Sequence, residues 1–183
     1  GGGTVRNALI VGNESAIGGG IRVISSAIGR IENCTIVGNK GTDASYGCGG
    51  IFFQSSGAEV TNSICLYNLG STSSVSNYQT LSALMRFGYS CTAPAPSGGV
   101  DGGSNVTANP LFVDPGSGFG TNYVLGDLTL QSESPCKNAG LELAWMTGAL
   151  DLAGAARIAQ GGVDMGAYEF VQDTPLGIMV QVQ

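Results

Sequence analysis

The chain has 183 residues, 31 of them glycine, with 7 Lys+Arg against 13 Asp+Glu and no His, for a formal net charge of -6. That balance excludes a nucleic-acid binder, since neutralising phosphates takes clustered Lys and Arg, and the lack of His removes Ser-His-Asp and Cys-His catalysis and most zinc sites. The 43% apolar fraction is too high for a disordered chain, the glycines have no period of three, and no apolar run reaches the roughly 18 residues of a membrane-spanning helix. In chain order, three segments align without gaps: residues 4–13, 30–39 and 59–68. Each carries an inner Asn (Asn7, Asn33, Asn62) and an outer one (Asn13, Asn39, Asn68). Glycine blocks at 18–20 and 47–50 precede Ile21 and Ile51, and Gly1, Gly2 and Gly3 read as the remnant of an earlier block.

A repeat in the twenties of residues denotes a solenoid. Helical units are disfavoured, because no 3.6-residue apolar stripe is present and glycine-rich turns interrupt each unit. Short alternating segments such as Val5 to Leu9 and Ile31 to Ile36 fit strands with one buried face, about three per unit. Stacking equivalent positions makes parallel sheets. The inner Asn falls where the chain bends, and Asn tolerates the left-handed conformation. Asn7, Asn33 and Asn62 are therefore expected to form an amide ladder, with the outer Asn at the following turn.

The run Asn33-Cys34-Thr35-Ile36-Val37-Gly38-Asn39, with its glycine blocks, resembles the repeat of the pectate-lyase-like superfamily. The resemblance implies an all-β, right-handed parallel β-helix with three-strand coils over residues 1–70. Residues 71–170 read as final coils with a loop insertion at 71–84 and a C-terminal cap, and 171–183 as a linker or the start of another segment. In the second half, Asn109-Pro110-Leu111-Phe112-Val113-Asp114-Pro115, Ser134-Pro135-Cys136 and Val163-Asp164-Met165-Gly166-Ala167-Tyr168-Glu169 follow in order. That order is similar to the C-terminal region of bacterial surface proteins with a choice-of-anchor Q domain. This resemblance implies a secreted or cell-surface location in a bacterium and no defined reaction. The chain itself reads as a fragment of a longer protein, with neighbouring domains as partners and a sticky first coil at residues 1–5.

Proline at 110, 115 and 135 marks irregular connections, as the closing cap of a solenoid requires. Arg157 is expected to fasten the last coil through ion pairs with Asp151, Asp164 and Glu169; a catalytic Arg with acids is the alternative. Cys34 and Cys65 read as core residues, while Cys91 and Cys136 are expected to form a disulfide in an exported protein. No catalytic residue and no cofactor is assigned. Asp101, Asp114 and Asp127 sit in glycine-rich loops, where they shape turns or, alternatively, bind Ca²⁺. The N-glycosylation patterns at Asn13, Asn33 and Asn105 are treated as chance.

Two functions fit. The first is a non-catalytic, adhesin- or stalk-like surface module contacting a polysaccharide or cell-surface glycan, with Tyr46, Phe52, Phe53, Tyr67 and Tyr78 available to stack on sugars. The second is a fragment of a polysaccharide lyase or glycoside hydrolase. It would need two carboxylates at a suitable separation, and Glu32 and Glu59 fall out of register with one another. Arg22 is the one cation nominated as an eliminating base.

Overall fold

A computed structural model describes residues 3–24, 29–54, 57–72, 74, 76–81 and 85–172; Gly1, Gly2 and all but the first two residues of the linker expected at 171–183 lie outside them. The first turn holds β1 (Thr4–Arg6), β2 (Leu9–Val11), β3 (Glu14–Ser15) and β4 (Ile21–Val23). The second repeats it as β5 (Gly29–Glu32), β6 (Thr35–Val37), β7 (Lys40–Gly41) and β8 (Ile51–Phe53). The third holds β9 (Ala58–Thr61), β10 (Ile64–Cys65) and β11 (Tyr78–Thr80), and the fourth β12 (Arg86–Gly88) and β13 (Cys91–Thr92). Every strand pair between turns is parallel. The sheets run β1-β5-β9-β12, β2-β6-β10-β13, β4-β8-β11 and β3-β7. The architecture is thus all-β with parallel sheets, compatible with a parallel β-helix.

Register puts like on like. Val5, Ile31, Val60 and Phe87 stack in the first sheet, and Ile10, Ile36 and Cys65 in the second. With Ile51 and Phe53, all of these but the exposed Val5 fill one interior between the sheets. The glycine blocks let successive turns approach: a Cβ at Gly50 would collide with the Asn77 carbonyl.

Three expectations change. The stacking of strands runs on through the expected insertion. β11 pairs with β8, and β12 and β13 make a fourth turn. The expected insertion at 71–84 therefore contains a strand of the third turn. A fourth kind of strand, β3 and β7, also joins the three expected per unit. Finally, the C-terminal region is not an end cap. The end of the stack is closed by a short stretch in which Asp101 bridges Phe87 and Val106 bridges Cys91. Residues 107–170 instead form a strap along the side of the stack, back towards the first turn. The reason lies in the second sheet, whose outer face carries Leu9, Val11, Val37 and Ile64 and needs an apolar cover. Phe112, Leu128, Leu130 and Met165 of the strap provide it, making a second core.

Thr4–Arg6, in the segment expected to be sticky, is ordered as β1 in register with Arg30, Ile31 and Glu32, while Val5 is 41% exposed.

Candidate functional site

The strap crosses the stack along the bend between the first and second sheets, where the inner Asn residues sit. Asn7, Asn33 and Asn62 have φ of 55°, 49° and 53°, and Tyr89 takes the same place in the fourth turn with φ 50°. The left-handed bend is as expected, but the ladder is not. Only one amide link joins the three, Asn62 donating to Asn33 Oδ1 at 3.3 Å. The other polar atoms reach the strap. Asn62 and Leu141 exchange two hydrogen bonds at 2.7 Å. Asn33 donates to the Asp164 carbonyl, and Asn7 donates to the Leu150 carbonyl. Further contacts join the same seam, with Ala167 N–H donating to Thr35 Oγ1 at 2.9 Å and Gly166 N–H to the Asn62 carbonyl at 2.7 Å. The inner Asn series is therefore the docking row for the strap.

The continuous ladder belongs to the outer series. Asn13 donates to Asn39 Oδ1 at 3.0 Å, Asn39 to Asn68 Oδ1 at 2.9 Å, and Asn68 to Asn77 Oδ1 at 3.3 Å. Asn77 then donates to the Ala93 carbonyl at 2.7 Å. The cause is the choice of partner: Asn33 and Asn62 are just as buried but meet strap backbone, whereas Asn39, Asn68 and Asn77, 0% exposed between turns, are satisfied by the next amide and nearby backbone.

Arg157 occupies the far end of the seam. It is fully buried and pairs with Glu169 Oε1 at 2.8 Å. Its remaining donors go to the Ala167 carbonyl at 2.7 Å and to Asn7 Oδ1. The guanidinium thus fastens the strap to the first turn, not the last coil as the sequence suggested. Asp151 and Asp164 do not pair with it directly. Asp151 accepts the N–H groups of Ala153, Ala155 and Glu169, and Asp164 those of Asn138 and Phe170. Burial pushes the Glu169 carboxyl up from 4.5 to about 7, with the Asp164 charge adding to the rise and Arg157 opposing it. Burial raises Asp164 as well. Glu169 and Asp164 lie buried close to one another with only Glu169 paired to the guanidinium, so this pair of carboxyls favours holding a proton. The cluster is built to bind the strap, and its guanidinium has no exposed surface to offer a substrate.

The remaining candidates are dispersed. Asp101 accepts from Gly103 N–H and Asn105, Asp114 from Gly116 N–H, and Asp127 from Thr129 N–H and its hydroxyl. Each therefore shapes its own turn. Among the described residues no group of three or more His, Cys, Asp or Glu could hold a metal. Glu32 is in register with Thr61 and Glu59 with Arg30, so the two acids do stand out of register. Glu32 pairs with Arg6 at 2.8 Å and Glu59 with Arg30 at 3.4 Å. The Arg6 guanidinium lies 4.5 Å from the ring centre of Trp145, a strap residue the sequence reading did not single out. Arg22 donates to Gln54 at 2.9 Å.

Phe52 and Phe53 are buried; Tyr46 packs edge-on against Phe52, and Tyr67 against Phe112. Tyr78 lies against Phe87 at 5.0 Å. Of the five aromatic candidates, Tyr46 at 42% is the one classed as exposed. Asn33 is fully buried, beyond reach of glycosylation. All five cysteines are buried free thiols, so the structure does not contain the expected Cys91–Cys136 disulfide; Cys91 Sγ donates to the Ala108 carbonyl at 3.4 Å, with Cys136 as a neighbour in the same core. No family model, no curated protein and no solved structure matches this chain.

Proposed function

We propose that the chain is a non-catalytic module of a larger bacterial protein, secreted or held at the cell surface, built as a right-handed parallel β-helix. Right-handedness is the near-universal sense of parallel crossover connections. The module acts as an adhesin- or stalk-like element that contacts polysaccharide or a cell-surface glycan. The pectate-lyase-like repeat and the choice-of-anchor Q motifs are the basis for placing it there. The observation that carries the non-catalytic reading is the fate of its ionic side chains. Arg157 and Glu169 are buried against each other, and Glu32, 7% exposed, is held by Arg6. Acid–base chemistry requires such groups within reach of a substrate proton, and these are committed to the fold.

The test is binding of the purified chain to plant, algal and host polysaccharides, with and without Ca²⁺, followed by assays for new reducing ends and unsaturated uronates. Saturable binding without cleavage supports the proposal. Cleavage of any polymer would replace it with the lyase or hydrolase reading. No binding at high micromolar protein would reduce the module to a spacer.

A further inference from the structure

We infer that Cys91 and Cys136 are the two halves of a disulfide that ties the strap to the fourth turn, closing as the chain folds. Cys91 lies in β13 in register with Ile64, on the outer face of the second sheet. Cys65 also lies near it but is in register with Thr92, one residue further on. Strand alternation therefore turns Cys65 into the interior and Cys91 towards the strap. Cys136 is the strap's cysteine. Both residues belong to the second core, both are 0% exposed, and their side chains are neighbours there. The backbone around Cys136 is held on two sides, its N–H donating to Ser134 Oγ and its carbonyl accepting from Met165 N–H. Neighbouring cysteines in one packed core can reach a bond of about 2.05 Å by side-chain rotation. The other three thiols donate to backbone away from the strap cysteine, Cys34 to the Glu32 carbonyl, Cys48 to that of Ile51 and Cys65 to that of Asn77, and the disulfide would replace the bond Cys91 makes to the Ala108 carbonyl at 3.4 Å.

Timing follows from burial. In the folded chain both sulfurs are shut away from solvent, and a buried thiol is a poor nucleophile. The bond therefore forms before the strap seats. One cysteine thiolate attacks an external disulfide, releasing one thiolate and leaving a mixed disulfide. The second cysteine thiolate then attacks the cysteine sulfur of that mixed disulfide and releases the other. Two electrons pass from the cysteine pair to the external disulfide, and the two protons end on its released thiols. In the cell this rests on the export proposed above, which supplies the oxidant; with purified chain it does not.

The test refolds the full chain from denaturant, once under reductant and once with oxidised and reduced glutathione, and alkylates free thiols in denaturant before peptide mapping. The expected result in glutathione is a mass lower by two hydrogens before alkylation and one cross-linked peptide pair containing Cys91 and Cys136. Cys34, Cys48 and Cys65 should be alkylated. The oxidised chain should melt about 10 °C above the reduced one, and that difference should vanish in Cys136→Ser. Five alkylated cysteines after refolding in glutathione, or a cross-link from Cys91 to Cys65, would overturn the assignment. The wild-type map decides the matter even if the variant does not fold, and its outcome is independent of polysaccharide binding.

Discussion

The stacked turns and the strap bury apolar surface by opposite means. In the turns each side chain meets its own equivalent one turn away: Val5 on Ile31 on Val60 on Phe87, Asn39 between Asn13 and Asn68. In the strap each contact is made once, over long sequence separations, such as Arg157 with Asn7 and Leu141 with Asn62. The turns spread their stability over many like interactions. The strap concentrates it in one buried guanidinium, a few amide contacts and the second core. The lesson is that the periodic part of such a molecule resists single changes better than the part that covers it.

The largest expected effect comes from Arg157→Met. It strands the Glu169 carboxyl and Asn7 Oδ1, and breaking a buried pair costs about 3–5 kcal/mol. Hydrogen exchange should show the strap amides opening well before those of the turns; equal loss in both regions would erase the distinction drawn above. Next is Asn39→Ala, which removes the acceptor for Asn13 and the donor to Ile10, Val37 and Asn68. Leaving those buried groups unpaired costs about 2–4 kcal/mol. Chemical denaturation should show this loss in strand signals, with the first two turns parting from the third.

A smaller effect sharpens the contrast through pH. Glu169 stands at about 7 in the folded chain against 4.5 ordinarily. The folded chain then keeps a proton that the unfolded chain has released. The resulting stability is complete below about 4.5 and is lost as pH rises through 7, a change on the order of 1–3 kcal/mol. Thermal melts at pH 5 and pH 8 should differ in that direction, and Glu169→Gln, which keeps an acceptor for Arg157, should flatten the difference. A melt that rises with pH would refute the assignment of the proton. Smallest is Glu59→Gln at the exposed pair with Arg30. Such pairs contribute about 0–1 kcal/mol, so the melting temperature should hardly move and should respond little to added salt.

The repeat, its parallel strands and the bend at Asn7, Asn33 and Asn62 were legible because they recur locally. Further coils past residue 70 were expected, but the strands of the fourth turn could not be placed, because Tyr89 occupies the place of Asn and Gly88 that of Thr61, so the pattern loses its marker while the backbone keeps its path. The ladder was placed on the wrong Asn series for a related reason. Sequence spacing is the same for both series and Asn33 and Asn62 are as buried as Asn39 and Asn68; what distinguishes them is the partner, strap backbone for the inner row and the next amide for the outer one. The grouping of Arg157 with Glu169 could be read from their proximity in the chain. Its attachment to Asn7 could not, since nothing local encodes a contact across that separation. Trp145 lacked any signal beyond being a lone aromatic in an irregular stretch; its Nε1 is buried without a hydrogen-bond partner.

The outer Asn row has a sense of direction. Each amide from Asn13 through Asn39, Asn68 and Asn77 donates towards the following turn, and the row ends on the Ala93 carbonyl. Aligned amides polarise one another, so the row is a line of dipoles with its oxygen end at the more exposed Asn13 and its donor end closed inside the protein on the Ala93 carbonyl. The polarity of the stack is therefore sealed at one end and left towards solvent at the other.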